Sequence, residues 1–425
     1  MKSNIIPAQQ TQFKTLPRLF DQFAKRAVLS KLEKIDKGQL QVIDDKQIYE
    51  FGDPDKNPIK ATITVRNSSF YSATAFGGSV GSGESYFAAD WDCDNLTSLV
   101  RLLLINRNVL DNMDSGLNRL TSPFNKLLHW LNRNTRQGSR RNIAAHYDIG
   151  NDLFEHMLDS TMMYSAAIYT SKDCSLEQAS IHKLDRICQK LQLDENDHLL
   201  EIGTGWGSMA IYAAKHYGCQ VTTTTISRKQ YKYAQQQIRQ QKLEHKITLL
   251  FKDYRELTGQ FDKLVSIEMI EAVGVDNLNT YFHKCSDLLK PDGMMCLQSI
   301  TIADQRYDQA RREVDFIQKY IFPGGSLPSI TAMATSIMQA TNMRVFNLED
   351  IGPHYARTLR DWRERFFKQE SKIRDLGYND RFIRLWEYYL CYCEGGFRER
   401  AISTVQLLLT KPDCRRASLV PILTG

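Results

Sequence analysis

Three glycines at alternate positions, Gly203, Gly205 and Gly207 in EIGTGWGSMAIYAAKHYG, close an apolar strand candidate, HLLEI at 198–202. Residues without a side chain let the backbone turn sharply and bring its N–H groups against a ligand. The helix that follows, at 207–216, aims its N-terminus at the same place, which favours an anionic group. The spacing is GxGxG, not the GxGxxG of dinucleotide binders, and no GxxxxGK[ST] accompanies it, so cradling of a nucleoside triphosphate is not expected. A carboxylate, Glu271 in SIEMIEAVG, follows a second strand candidate, DKLVSI at 262–267. Strand ends are where α/β proteins place their chemistry. Glu271 can also be read as a helix N-terminal acid that satisfies backbone donors.

The elements that must position these groups alternate in type. From about residue 145 the strand candidates HLLEI, QVTTTTI (220–226), KITLLF (246–251), DKLVSI and GMMCLQSIT (293–301) are separated by helical stretches, notably 207–216 and 228–241. That alternation predicts a parallel, doubly wound α/β sheet. Two late candidates, MRVFNLE (343–349) and STVQLLLT (403–410), are about 50 helical residues apart. This insertion is too long for a plain loop and is expected to cap the active site.

Upstream, Leu19 to Lys37 is amphipathic, and a hairpin is expected from QLQVID through the polar turn GDPDKNP to KATITV. Glycines 77, 78, 81 and 83 are expected to force tight turns, with a helix from about Asn95. Between Gly116 and Ala144 there is no Asp or Glu, while Arg119, Lys126, Arg133, Arg136, Arg140 and Arg141 carry six positive charges. Phe124, Leu127, Leu128 and Leu131 fall on one helix face beside Trp130. The 119–141 stretch reads either as a surface for an anionic bilayer or as an inter-domain helix with a solvated basic linker. Nucleic acid is not expected, since no RNA-binding or helix-turn-helix signature is present and the patch lacks interleaved stacking aromatics.

Composition sets wider bounds. In 425 residues, 42% apolar and 24% charged side chains argue against disorder. No run of 18 apolar residues exists, so no spanning helix is expected. The start, MKSNIIPAQQTQFKTLP, has no apolar h-region, so no secretory signal is expected. Nine cysteines without a CxxC pair suit reduced thiols in the cytoplasm and give no metal signature. Net charge is 55 − 49 = +6, too mild to identify a partner by itself.

The pattern E/D-x-G-x-G-x-G closing a first strand is similar to that of Rossmann-like S-adenosylmethionine-dependent methyltransferases, where the anion would be the methionine carboxylate. Many of these carry an acid at the end of the second strand for the ribose hydroxyls. Here TTTTISRKQ leaves that task to Thr225 and Gln230. The ordered segments YDIGNDLFEHMLDSTMMYSAAIY, LLEIGTGWGSMAIYAA, TTTTISRKQ, SIEMIEAVG, YIFPGGSLPS, DIGPHYARTLRDWRERF and YYLCYCEGGFRER resemble cyclopropane-fatty-acyl-phospholipid synthases and the related mycolic acid cyclopropane synthases. The likeness is strong over about 140–410, and GSVGSGESYFAADWDCD looks like the glycine-rich stretch of the family's N-terminal lipid-binding domain.

The resemblance implies an α/β fold: a Rossmann-like class I methyltransferase sheet with helical cap insertions, plus a small α+β N-terminal domain. Its domains would be 1–115, a basic helix and linker at 116–144, and a methyltransferase domain at 145–425. It implies transfer of the methyl of S-adenosylmethionine to a cis double bond in a phospholipid acyl chain. A carbocation forms, a base removes a proton from the added methyl, and a cyclopropane ring closes. Such a cation must be kept from water and stabilised by negative charge or π-density.

By resemblance Glu271 is the active-site glutamate and Tyr355 the family tyrosine. Cys393 matches a cysteine traditionally regarded as active, although methyl transfer to an alkene needs no covalent enzyme intermediate and a buried cavity-lining thiol is the other reading. Tyr164, Ser165, Gly203, Gly205 and Gly207 would contact the cofactor, Thr225, Ile226 and Gln230 would flank ribose and adenine, and Tyr254 and Arg255 would lie in the adenine-side loop. No metal is implied. A bound bicarbonate is the base in the family, but Ala166 replaces a cysteine and Gln298 a histidine among its contacts. Gln298 can donate a hydrogen bond without carrying charge, and Glu271 itself is the alternative base. If the proton leaves a different carbon, the product is a methylene or methyl-branched chain. A catalytically inactive lipid-binding homologue and a methyltransferase for a small soluble acceptor are further readings. His146 and His354 read as structural, and Trp386, Tyr388, Tyr389 and Tyr392 as core or acyl-tunnel aromatics. The expected partner is membrane phospholipid at the inner face of the membrane, and a homodimer follows by analogy only.

Overall fold

Gln39–Asp44 (β1), Gln47–Phe51 (β2), Lys60–Val65 (β3) and Trp91–Cys93 (β4) form a four-stranded sheet in the order β2-β1-β3-β4. Leu40 and Val42 of β1 and Ala61, Ile63 and Val65 of β3 alternate inward, as one covered face requires. The structure, a computed structural model, describes residues 18–107, 150–417 and 419. The basic stretch 116–144 and His146 lie outside the described residues.

The contacts divide the chain into two units. The first holds the described residues up to 107 together with Glu313–Ile321 and Trp362–Ala401. The second holds those from 150 to Arg312, Phe322–Asp361 and the chain from Ile402 on.

Two expectations for the first unit are corrected. β1 turns through Asp45 and Lys46 into β2, its antiparallel partner, with Asp45 at φ 54°. KATITV is a strand, but it runs parallel to β1, so GDPDKNP belongs to a crossover and not to a hairpin turn. β2 escaped notice because it is largely exposed and carries no alternating apolar pattern. Of the glycines expected to force turns, only Gly78 does so, at a kink that joins two helical segments. Ser69–Phe87 is helical on either side of that kink (φ 56°, ψ −140° at Gly78), and Gly81 and Gly83 lie in its second part. Gly83 serves close packing: a Cβ there would stand 2.8 Å from the Phe316 ring. The next helix, Leu96–Ile105, starts as expected, with Asn95 accepting from the Ser98 N–H at 2.9 Å.

In the second unit His198–Ile202 (β5), Gln220–Thr224 (β6), Ile247–Leu250 (β7), Phe261–Ile267 (β8), Leu289–Ile302 (β9), Arg344–Asp350 (β10) and Ile402–Thr410 (β11) form one sheet. Its order is β10-β11-β9-β8-β5-β6-β7. Strands β5 to β9 pair in parallel, and β11 runs antiparallel to both β9 and β10. Successive strand residues face opposite sides. Leu199, Cys296 and Leu408 join a cluster with Ile187, Met209 and Ile238, while Leu200, Leu297 and Leu407 join another with Tyr281, Phe282 and Ile337. The order reverses at β5, which has β6 on one side and β8 on the other. At such a switch point the loops after the strands diverge and leave a crevice. Among the described residues no helix is long and apolar enough to cross a membrane.

Of the insertion between β10 and β11, residues up to Asp361 stay with this sheet, whereas Trp362–Ala401 group with the first unit, a division that sequence order does not suggest.

Candidate active site

The glycine turn after β5 needs its glycines for backbone reasons. Gly203, Gly205 and Gly207 have φ 102°, 53° and 100°, values that L side chains seldom adopt. The Gly203 and Thr204 N–H groups donate to the Thr224 carbonyl at 3.1 and 3.0 Å, which ties the turn to the end of β6. A Cβ at Gly203 would come within 3.3 Å of Met269, and one at Gly207 within 3.2 Å of Ala234. Gly205 is different: nothing lies within 4 Å of its missing Cβ, so it borders open space. The helix Ser208–His216 begins directly after.

Beneath the turn, the Thr223 hydroxyl donates to Glu201 at 2.6 Å and shares a 2.7 Å bond with the Thr204 hydroxyl. Burial pushes the Glu201 carboxyl up to about 8. The expected ribose-side residues engage each other, since the Thr225 hydroxyl donates to Gln230 Oε1 at 3.0 Å and accepts the Ser227 N–H at 3.1 Å. Ile226 beside them is half-buried. After β7, Arg255 is held by Asp253 through two bonds of 2.9 and 2.6 Å, with its guanidinium 5.7 Å from the Tyr254 ring. Tyr164 packs on Phe154 and Phe322. Ser165 accepts a 2.8 Å bond from Lys183, an ammonium with no exposed surface whose pKa burial lowers to about 8.

Two carboxyls stand at the end of β8. Glu271 lies in the 3-10 turn Ile270–Ala272, and its Oε1 accepts the Ile300 N–H at 2.6 Å and the Ser299 hydroxyl at 3.2 Å. Its Oε1 donors come from β9. Burial, reinforced by the charge of Glu268, raises the Glu271 carboxyl to about 8. Glu268 takes its donors from three segments: Ala166 N–H at 3.0 Å and Gln298 Nε2 at 2.8 Å on Oε1, and the Tyr355 hydroxyl at 2.8 Å on Oε2. Burial raises its pKa against these bonds.

Thus Tyr355, Gln298 and position 166 come together, and what they meet is Glu268, which the sequence reading overlooked. The signal was present, because Glu268 precedes Glu271 in the same SIEMIEAVG segment. Lys183 was also missed, although its spacing from Leu176, Ala179, Ser180 and Leu184 puts it on the buried face of the helix Leu176–Leu191. Cys393 belongs to the first unit. Burial and the nearby Asp315 push its thiol up, away from the thiolate form that a nucleophile needs. His354 is structural, as expected: its Nδ1 accepts the Tyr169 N–H at 3.2 Å. No cluster of potential metal ligands occurs among the described residues.

This strand order, with a glycine turn at the switch point, defines a class I S-adenosylmethionine-dependent methyltransferase. The residues present fit the cofactor. The open space beside Gly205 and the helix start suit its carboxylate, and Thr225 directly follows β6 while Tyr254 lies in the turn after β7.

Comparison narrows the class. The family model described as mycolic acid cyclopropane synthetase matches residues 134–407, more than half of the chain, and the chain belongs to that family. Cyclopropane-fatty-acyl-phospholipid synthase of Escherichia coli (strain K12) is 38% identical over 358 residues, 83% of this chain and 88% of that protein. Tuberculostearic acid methyltransferase UfaA1 of Mycobacterium tuberculosis is 37% identical over 352 residues, 79% of each. The crystal structure of mycolic acid cyclopropane synthase CmaA1 complexed with SAH and CTAB superposes with a TM-score of 0.59 at 29% identity, covering 64% of this chain and 98% of that one. The chain is therefore an enzyme, an S-adenosylmethionine-dependent methyltransferase of the cyclopropane-synthase type.

Proposed function

We propose that this enzyme methylates the cis double bond of an unsaturated phospholipid acyl chain and closes a cyclopropane ring. The observation that carries the reading is the pair of half-buried, hydrogen-bonded carboxyls, Glu268 and Glu271, on the strand end that packs against the glycine turn. Bound at that turn, S-adenosylmethionine supplies an electrophilic methyl on a sulfonium.

The residues of the chain answer the needs of an alkene substrate. Once a methyl has joined one alkene carbon, the other carries positive charge. Negative charge in a dry site stabilises that cation far more than it would in water. Exclusion of water also prevents its capture as an alcohol. A carboxylate within reach of the added methyl then takes a proton. The basic stretch 119–141 lies against anionic headgroups in this reading, and the enzyme works peripherally at the inner face of the membrane.

A second reading is methyl transfer that ends in a methylene or methyl-branched chain. It is favoured by the relative named for tuberculostearic acid. Both readings are tested together: purified protein, labelled S-adenosylmethionine and vesicles of unsaturated phospholipid, with products read by mass spectrometry and NMR. Cyclopropyl proton signals are expected. Exocyclic methylene signals without them would replace the first reading by the second. Absence of label in the lipid, with cofactor bound, would overturn both.

A further inference from the structure

Glu268 occupies an unusual backbone position. It is a non-glycine residue at φ 49°, directly after β8, and its own N–H donates to the Gln298 carbonyl at 2.8 Å. Left-handed backbone at a bulky residue persists only where the surroundings enforce it, and it recurs at functional sites. Here it turns a half-buried acidic side chain inward, where three donors meet it.

The donors are fixed in sense. Lys190 can only donate, and its ammonium gives a 2.7 Å bond to Gln406 Oε1. Gln406 therefore presents its amide N–H to Gln298 Oε1 at 3.0 Å. Gln298 in turn must present Nε2 to Glu268 at 2.8 Å, while also donating to the Ala166 carbonyl at 3.3 Å. One buried cation thus sets two amide orientations and aims a neutral donor at the carboxylate. A carboxylate has about four acceptor positions. Among the described residues three donors fill Oε1 and half of Oε2, so one position on Oε2 is left for a proton.

We propose that the Glu268 carboxylate is the base of the reaction, built into the chain in place of a diffusible anion such as bicarbonate. The inference rests on the methyl-transfer reading above. Positions 166 and 298, at which the resemblance expects anion contacts, spend their donors on Glu268, and so does Tyr355. A free anion on the same donors would stand against the negative charge of Glu268. Met269, the next residue, packs against Gly203, so the carboxylate sits beside the wall of the cofactor turn.

The proton step balances. A C–H bond of the newly added methyl breaks, and its electron pair forms the bond that quenches the carbocation. The proton goes to Oε2 of Glu268, giving a neutral carboxylic acid, and passes to water when product leaves. Glu271 holds a raised pKa on separate donors from β9 and serves as the neutral neighbour that leaves the single negative charge to Glu268.

The test uses the full chain, and bicarbonate is the probe. Wild-type methyl transfer to vesicles is expected to be unchanged when carbonate is stripped from the buffer or restored. Calorimetry and carbon-13 NMR are expected to find no bicarbonate bound. Glu268→Gln, which keeps shape and folding, is expected to lose about 10²-fold or more in lipid product while its affinity for S-adenosylmethionine stays within about twofold, since the substitution removes only the proton acceptor. Glu268→Gly opens an anion-sized space at a left-handed position that suits glycine. It is expected to bind bicarbonate and to regain turnover with it. A wild-type rate that falls on carbonate removal, bicarbonate binding to the wild type, or a fully active Glu268→Gln would overturn the proposal. Wild type that methylates no lipid would remove the functional reading instead. Bicarbonate binding by Glu268→Gly and not by wild type, read without turnover, would then still support an anion position filled by Glu268, and its absence would sink it.

Discussion

Glu271 carries one oxygen, Oε1, bonded to β9 and another, Oε2, buried without a hydrogen-bond partner among the described residues. Its carboxyl titrates near 4.5 when exposed and is raised to about 8 in the fold. Between these values the folded protein holds a proton that the unfolded chain has released, so stability falls as pH rises through this window. Urea titrations from pH 5 to 8 are expected to show a loss on the order of a few kcal/mol. Glu271→Gln cannot ionise and is expected to flatten much of that slope, the remainder coming from Glu201 and Glu268, whose carboxyls shift the same way. A variant profile parallel to the wild type would mean that Glu271 is ionised in the folded protein. At this scale the sequence singled out Glu271 by its place after a strand and Tyr355 by resemblance. It did not reveal that Tyr355 serves Glu268, because a hydrogen bond across 87 residues leaves no periodic trace.

The glycine turn and the strands around it act as one element. Gly205→Ala adds a methyl where the protein has nothing within 4 Å, at a φ of 53° that alanine adopts at a cost of about 1–2 kcal/mol. Folding should survive, and binding of S-adenosylmethionine, measured by calorimetry, is expected to weaken tenfold or more because the methyl enters the cradle. Unchanged affinity would place the cofactor elsewhere. Gly203→Ala meets Met269 at 3.3 Å with φ at 102° and should lose more stability than Gly205→Ala. Strand existence was readable from alternation and apolar runs, as β5 to β11 attest. Strand partnership was not: the alternation in KATITV announces a covered face, but it says nothing about whether the neighbour runs parallel, which β1 does.

Over the whole molecule, the first unit takes core residues from three distant parts of the chain. The Phe316 ring lies 4.7 Å from Tyr388 and packs on Gly83, and the Tyr86 hydroxyl bonds Glu387 at 2.7 Å. Buried Glu394 receives Arg363, Arg398 and the Thr97 hydroxyl. A fragment that stops at residue 131 lacks Glu313–Ile321 and Trp362–Ala401 and with them these partners. It is expected to show helical circular dichroism without a cooperative urea transition. A sharp transition would mean that its core is self-sufficient.

The amino-acid sequence alone determined β1, β3 and the strands of the second unit, the glycine turn proposed to meet the cofactor, and the family to which the motifs are similar. These are local properties: residue size at a tight turn, apolar periodicity, and short ordered motifs. Tertiary structure decided which carboxyl receives the donors, which helices join the first unit, and how β1 and β3 run. Those depend on buried polar groups finding partners far along the chain. In a dry interior each such group must be satisfied, and only the folded arrangement shows that Lys190, Gln406 and Gln298 do so in a line that ends at Glu268.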